Sequence, residues 1–292
     1  MLPVAVEPAL AKVNLALHVV GRRADGYHLL ESLVVFAGLG DEVRLTHASK
    51  ADFIITGPFG AGLPTNSSNL VARAAAAFAA RWPGRADGPF RIELVKNLPV
   101  ASGLGGGSAD AAATLRALAG LCEEPPAVSD LRDLALTLGA DVPVCLLSRP
   151  AEMRGIGEII HPLPGFPPLH IVLANPMVPV ATADVFRRLD RRDNPPLPPL
   201  PAPLDRPAQL ALWLADTRND LEAPAVELVP AIGRLIESLA KTEGCILARM
   251  SGSGASVFGL FGTAGEAHEA AHDLRRQHPE YWVAAAPIVS AQ

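Results

Sequence analysis

Residues 99–121 read PVASGLGGGSADAAATLRALAGL, with four glycines among residues 103–107 and an alanine-rich run directly behind them. Glycine loses more conformational freedom on folding than any other residue, so this density belongs where backbone bends tightly or approaches a ligand. Ser108 is suited to cap a helix over residues 109–121, which holds no breaker before Gly120. The free N–H groups of such a helix start, opened by a glycine loop, form an anion site carrying about +0.5 charge. Phosphate is the anion that fits, and the plainer alternative is a flexible loop ahead of a core helix. A Walker A loop is excluded because no lysine follows the glycines. The dinucleotide fingerprint fits loosely at Gly103, Gly105 and Ser108, and Asn97-Leu98-Pro99 separates it from the preceding strand-like run. A nucleoside triphosphate suits the loop better.

Other residues able to do chemistry lie on both sides of this loop. From residue 11 the pattern alternates, so Val13, Leu15, Leu17 and Val19 share one strand face and Lys12, Asn14, Ala16 and His18 the other. That polar face meets either solvent or a ligand. The segment GRRADGYH sets a tight turn at Asp25-Gly26 and delivers Tyr27 and His28 just beyond it, in a structural or a binding role. Asp141, in LGADVPV, falls between a helix over 130–138 ended by Gly139 and a strand-like run over 142–147. A carboxylate in so poorly solvated a place can be tuned as a general base, or can shape a turn. A second glycine loop, SGSGAS at 251–256, joins strand-like runs over 246–250 and 256–261. It reads as a tight turn or as backbone N–H groups brought near the first loop. HEAAHDLRRQH at 268–278 imitates a zinc peptidase signature, with Arg275 where a glycine is required. His268 and His272 are spaced to share a metal with Glu269 as base, but His278 then lies about 240° around the helix from His272. Ala267, Ala270, Ala271 and Leu274 form that helix's core-facing stripe, and no metal ligand is assigned.

The elements that position these groups run strands first, then helix, strand and helix. Strands are expected over 33–36 and 43–46 with Gly40-Asp41 as the turn between them. A helix is expected over 69–82, capped by Ser67 or Ser68, and a strand over 90–95. That order indicates α+β more than a doubly wound sheet. Composition shifts at 149–164, which divides the chain into domains 1–160 and 161–292. A strand over 170–174 follows, then a helix start over 182–189 with Thr182 as cap and Phe186 one turn in. Seven prolines in 194–207 describe an extended surface loop, and an amphipathic helix spans 228–241, ending at Gly244.

The 292 residues are 49% hydrophobic and 19% charged, which fits a folded protein with large cores. With 25 Lys plus Arg against 30 Asp plus Glu and no basic run, a nucleic-acid surface is not expected. The opening MLPVAVEPALAKV lacks the basic region of a signal peptide, and no apolar run is long enough to span a membrane. Cys122, Cys145 and Cys245, odd in number and far apart, read as reduced thiols of a cytoplasmic protein.

Three motifs together resemble those of the GHMP kinase superfamily: AKVNLALHV at 11–19, the P-x-x-x-G-L-G-G-G-S loop at 99–108, and SGSGASVF at 251–258. RADGYH and GADVP resemble the branch acting on a cytidylyl substrate in isoprenoid precursor synthesis, and residues 194–216 resemble it least. The resemblance implies an α+β, two-domain GHMP-kinase architecture. Its sheets would be mixed or antiparallel with helices packed on one side, and the active site would lie in the interdomain cleft. It implies ATP held by Pro99, Val100, Ala101, Ser102, Gly103, Leu104, Gly105, Gly106, Gly107, Ser108 and Ala109, with Asn69 at the adenine and Mg²⁺ bound through the phosphates. Asp141 would take the proton of the attacking hydroxyl, and Lys12 would hold and polarise that hydroxyl and the transferring phosphate. Tyr27 and Phe186 would stack on the cytosine, His28 would hydrogen-bond its edge, and Asn14 and Thr182 would touch the small-molecule substrate. A monomer or weak homodimer is expected. The alternatives are a homoserine or mevalonate type of kinase, an ATP-holding protein without turnover and, remotely, the zinc peptidase.

Overall fold

Two long strands open the chain in the computed structural model, which describes residues 3–86 and 88–290. β1 (Ala5–Arg22) and β2 (His28–His47) pair with each other, and the expected Asp25-Gly26 turn joins them, with Gly26 at φ 95°. Residues 11–19 of β1 are buried on both faces, so the polar stripe does not meet solvent: Lys12 is 4% exposed, Asn14 1% and His18 0%. β2 runs straight through Gly40-Asp41, where a turn was expected. Glycine is needed at position 40 for close approach, because a Cβ there would stand 2.1 Å from the Ala9 carbonyl oxygen.

The chain folds into two compact units, and no single cut separates them. One unit takes the chain up to Ala11, Leu39–Val100 and Gly105–Ser148; the other takes Lys12–Gly38, Ala101–Leu104 and the chain from Arg149 onward. The cut expected between 160 and 161 falls inside a strand, β6 below.

In the first unit the end of β2 pairs antiparallel with β4 (Phe90–Val95), to which β3 (Asp52–Thr56) is parallel. Helices α1 (Leu70–Arg81), α2 (Gly106–Gly120), α3 (Val128–Leu138) and α4 (Val142–Leu147) complete it, with α2 packed against the other three. Small residues allow that burial: alanines occupy most of the inward positions of α2. Three local expectations fail here. The cap of α1 is Asn69, whose Oδ1 accepts the Val71 N–H at 2.9 Å, rather than Ser67 or Ser68. Helix α2 begins at Gly106, because Gly105 takes the left-handed cap position at φ 64°, and Ser108 is already inside the helix. Residues 142–147 form a helix and not a strand, with Pro143 in its first turn where its missing N–H costs nothing.

In the second unit β5 (Ala151–Gly155) pairs antiparallel with Leu30 to Val34 of β2, and β6 (Ile159–Pro162) with β5. A second, antiparallel sheet follows the order β10-β7-β9-β8, from β7 (His170–Asn175), β8 (Cys245–Met250), β9 (Val257–Phe261) and β10 (Trp282–Pro287). The unit's helices are α5 (Thr182–Arg187), α6 (Pro207–Ala215), α7 (Glu222–Leu228), α8 (Ala231–Ala240) and α9 (Ala264–Gln277). One core joins Ile232, Leu235 and Leu239 of α8, Ala267, Ala271 and Leu274 of α9, and Val172, Val257 and Phe261 of the sheet. The amphipathic helix expected over 228–241 is α8, which begins three residues later than expected because Pro230 takes its N-cap position; α7 is a separate helix ahead of it. Among the described residues no helix is long and apolar enough to cross a membrane.

The proline-rich stretch is tied down rather than loose. Leu197 and Leu204 are buried, and Trp213 Nε1 donates to the Pro198 and Pro199 carbonyls. His18 is the other tie. Its Nε2 accepts the Arg218 N–H at 3.2 Å, so its Nδ1 carries the proton and donates to the Pro195 carbonyl at 3.0 Å. Burial, then the Arg218 charge, holds this imidazole below its ordinary value. The unfolded chain therefore binds a proton that the folded chain refuses. Stability is full above about pH 6.5 and falls as the pH drops below it. His18→Asn, which keeps both hydrogen bonds without titrating, is expected to flatten the loss of melting temperature between about pH 7.5 and about pH 5.5. An equal loss in wild type and variant would assign the acid sensitivity elsewhere.

Candidate active site

Residues 101–104 of the glycine loop lie in the second unit against the second glycine loop. The Ser256 N–H donates to the Ser102 carbonyl and Ser251 Oγ donates to the Gly103 carbonyl, both at 3.0 Å. Gly103 has φ 77°, and a Cβ on it would stand 2.4 Å from the Ser251 carbonyl oxygen. Only glycine permits this approach. The polar stripe of β1 adjoins the same junction. The Lys12 N–H donates to the Leu104 carbonyl at 2.9 Å, and the Asn14 N–H donates to Ser251 Oγ at 3.1 Å. Asn14 Nδ2 donates to Ser32 Oγ at 2.8 Å, while its buried Oδ1 has no hydrogen-bond partner. An amide oxygen held in that state beside two glycine loops suits a polar ligand.

Thr182 is not the cap of α5, a position Ala181 fills; its hydroxyl lies 2.8 Å from Ser253 Oγ. Phe186, one turn on, stacks on His28 with ring centroids 4.7 Å apart and planes 24° from parallel. His28 Nε2 is buried without a partner, and burial, with Arg22 and Arg192 adding, holds the imidazole below its ordinary value. The ring is thus neutral at pH 7, able to donate at one nitrogen and accept at the other. Tyr27 is 60% exposed at the end of the turn.

In the first unit the loop continues into α2, whose first N–H groups, on Gly106, Gly107 and Ser108, lack intrahelical acceptors. A Cβ on Gly107 would touch the Leu70 side chain, so the start of α2 packs against the first residue of α1, which Asn69 caps. Asn69 also donates from Nδ2 to the Pro64 carbonyl at 3.0 Å. Asp141 occupies the N-cap position of α4, half-buried. Beneath Gly106 lies a buried cluster in which Lys96 Nζ donates to Asp41 Oδ2 at 2.5 Å and Asp110 Oδ2 at 2.7 Å. Burial pushes the Asp110 carboxyl up to about 7, with Lys96 pulling against the rise and Asp41 adding to it.

Residues 69–149 match the GHMP kinases N terminal domain, and residues 203–280 match the GHMP kinases C terminal. The chain belongs to the GHMP kinases. It is 52% identical to a 4-diphosphocytidyl-2-C-methyl-D-erythritol kinase of Cereibacter sphaeroides, over 94% of this chain and 96% of that one. It is 49% identical to the enzyme of the same name from Mesorhizobium japonicum, over 97% and 96%. A crystal structure of 4-(cytidine 5'-diphospho)-2C-methyl-D-erythritol kinase superposes with a TM-score of 0.77 at 36% identity, covering 97% of this chain and 99% of that one. A homoserine kinase from Cytophaga hutchinsonii superposes at 0.68 with 21% identity over 97% and 94%, which shows the shared fold.

As a GHMP kinase the chain is an ATP-dependent small-molecule kinase, and its α+β, two-domain architecture agrees with the resemblance in its motifs. The zinc alternative finds no support in the geometry. In α9 the alanine and leucine stripe is buried as expected, while His268 and His272 face outward. His278 stacks on Tyr281, and among the described residues no group of three potential ligands is gathered. Sequence reasoning missed Lys96 and Asp41 in this GHMP kinase. Lys96 ends a strand run with no periodic mark, and Asp41 follows a glycine in what reads as a turn.

Proposed function

We propose that the chain phosphorylates the 2-hydroxyl of 4-diphosphocytidyl-2-C-methyl-D-erythritol with ATP; its full-length relatives at about half identity are named as kinases of that compound. One observation carries the reading: at Gly103 the two glycine loops meet too closely for any side chain, beside Lys12 and Asn14. A backbone cradle joined to the strand that carries a lysine suits phosphoryl transfer, since that reaction is chiefly positioning and charge stabilisation.

The triphosphate lies on residues 99–109, where the first N–H groups of α2 donate to it. Asn69 lines the adenine. Asp141 accepts the proton of the attacking hydroxyl, and Lys12 polarises that hydroxyl and stabilises the charge of the transferring phosphoryl group. The acceptor is a crowded tertiary alcohol with a pKa far above 7, so a placed base matters. Mg²⁺, when bound through the phosphate oxygens, would supply charge neutralisation there.

The cytidylyl end of the substrate belongs to the second unit, with Tyr27 and Phe186 as stacking surfaces, the neutral His28 at the base edge, and Asn14 and Thr182 as polar contacts. His28→Ala is expected to raise the KM of the cytidylyl substrate about 10–100-fold, the worth of one or two hydrogen bonds to a base edge. The KM of ATP should stay within about twofold; equal effects on both substrates would remove His28 from the base pocket. The reading as a whole is tested by ADP release with the cytidylyl substrate, homoserine and mevalonate in parallel. Turnover confined to the cytidylyl substrate supports it, and a preference for either of the others overturns it.

A further inference from the structure

We propose that Asp41, Lys96 and Asp110 form a buried brace that fixes the two ends of the glycine loop relative to each other and thereby sets the affinity for ATP. The inference rests on the reading of residues 99–109 as the triphosphate cradle.

Both ends of the loop are fastened to one ammonium. On the entering side, Asp41 Oδ1 accepts the N–H groups of Asn97 and Leu98, at 2.5 and 2.8 Å, the two residues directly before Pro99. On the leaving side, Asp110 stands in the second turn of α2. Lys96 joins the two carboxylates, and all three side chains are buried. The first helical residue rests on the cluster: a Cβ on Gly106 would lie 3.1 Å from Lys96 Nζ and 3.5 Å from Asp41 Oδ2. The amide of Gly106 is one of the free donors of the anion site, so the brace sits directly under the groups that meet phosphate.

A brace explains why ionic groups are buried here at all. A buried ion pair adds little net stability over apolar side chains of the same volume, but displacing one member leaves an uncompensated charge. The cluster therefore resists movement more than it stabilises the fold. It carries two carboxylates for one ammonium, and Asp110 Oδ1 is buried with no hydrogen-bond partner. A cluster selected for stability alone would not leave that oxygen unsatisfied. The loop needs such restraint, since four glycines within five residues and positive φ at Ala101, Gly103 and Gly105 make it costly to order.

Asp110→Ala and Asp110→Asn in the full-length enzyme test the brace. The alanine variant cuts the link between Lys96 and α2 and keeps the staple from Asp41 to residues 97 and 98. It is expected to raise the KM of ATP about tenfold, one decade short of what a 1 Å misplacement of reacting groups costs, with the KM of the cytidylyl substrate unchanged. Amide hydrogen exchange of residues 99–109 should quicken in the same variant. Asparagine, whose amide oxygen accepts from Lys96, should restore both readouts most of the way. Unchanged exchange and unchanged KM in Asp110→Ala would overturn the brace while leaving the cradle standing. Faster exchange with unchanged affinity for ATP would overturn it by showing that nucleotide does not bind on this loop. A parallel rise in both KM values with loss of folded enzyme would reduce the cluster to a structural role and overturn it too. Should the alanine variant not fold, Asp110→Ser, too short to reach Lys96, is judged by the same readouts.

Discussion

Asp141→Asn is expected to lower kcat by about 10²–10⁴-fold, the usual contribution of a positioned general base, while the affinity for ATP stays near that of the wild type. Asparagine matches aspartate in size and can still accept a hydrogen bond from the substrate hydroxyl, so positioning survives. It cannot take the proton at neutral pH. Asp141 stands at the N-cap position of α4 without capping the helix through its side chain, so the substitution removes no cap. Steady-state ADP release gives kcat, and calorimetric titration with a non-hydrolysable ATP analogue gives the affinity. A variant that kept kcat within about threefold of the wild type would deny Asp141 the role of base.

Gly103→Ala is expected to reduce kcat/KM by about 10²-fold, the loss that follows when reacting groups are displaced by about 1 Å. The new methyl would meet backbone on every side: the Ser251 carbonyl oxygen at 2.4 Å, the Gly254 carbonyl oxygen at 2.9 Å and the Gly254 nitrogen at 3.0 Å. None of these is the tip of a flexible side chain, so the two loops must part. The residue must also hold φ 77°, a conformation that alanine adopts at a cost of about 1–2 kcal/mol. Gly120→Ala is the control, because a Cβ there meets nothing within 4 Å. Kinetics unchanged in Gly120→Ala and degraded in Gly103→Ala would tie the effect to the loop junction. Equal behaviour of the two variants would mean that the contact with Ser251 does not shape the site.

What was legible in the sequence follows from which signals are local. The alternation of Lys12, Asn14 and His18 against an apolar face describes a strand, and that strand exists, although alternation alone does not tell a buried polar face from a wet one. Four clustered glycines marked the loop, and the alanines after it marked the helix; only the start of that helix was misplaced, because the left-handed Gly105 lets two further glycines join it. Residues 142–147 were misread because six apolar residues suit a strand as well as a helix. Pro143 is the one local sign that a helix begins there. The brace was invisible for a different reason. Asp41, Lys96 and Asp110 come from a strand, the residue just after another strand, and a helix, and no spacing along the chain announces that three such residues meet. Asp110 alone reads as a residue near a helix start, and its burial is a property of the fold.

The most direct measurement is a crystal structure of the protein with a non-hydrolysable ATP analogue and the cytidylyl substrate bound together. The terminal phosphate oxygens are predicted to lie about 3 Å from backbone nitrogens of residues 105–108, with the substrate 2-hydroxyl within hydrogen-bond reach of Asp141. A triphosphate bound away from that loop, or a hydroxyl with no approach to Asp141, would contradict the account.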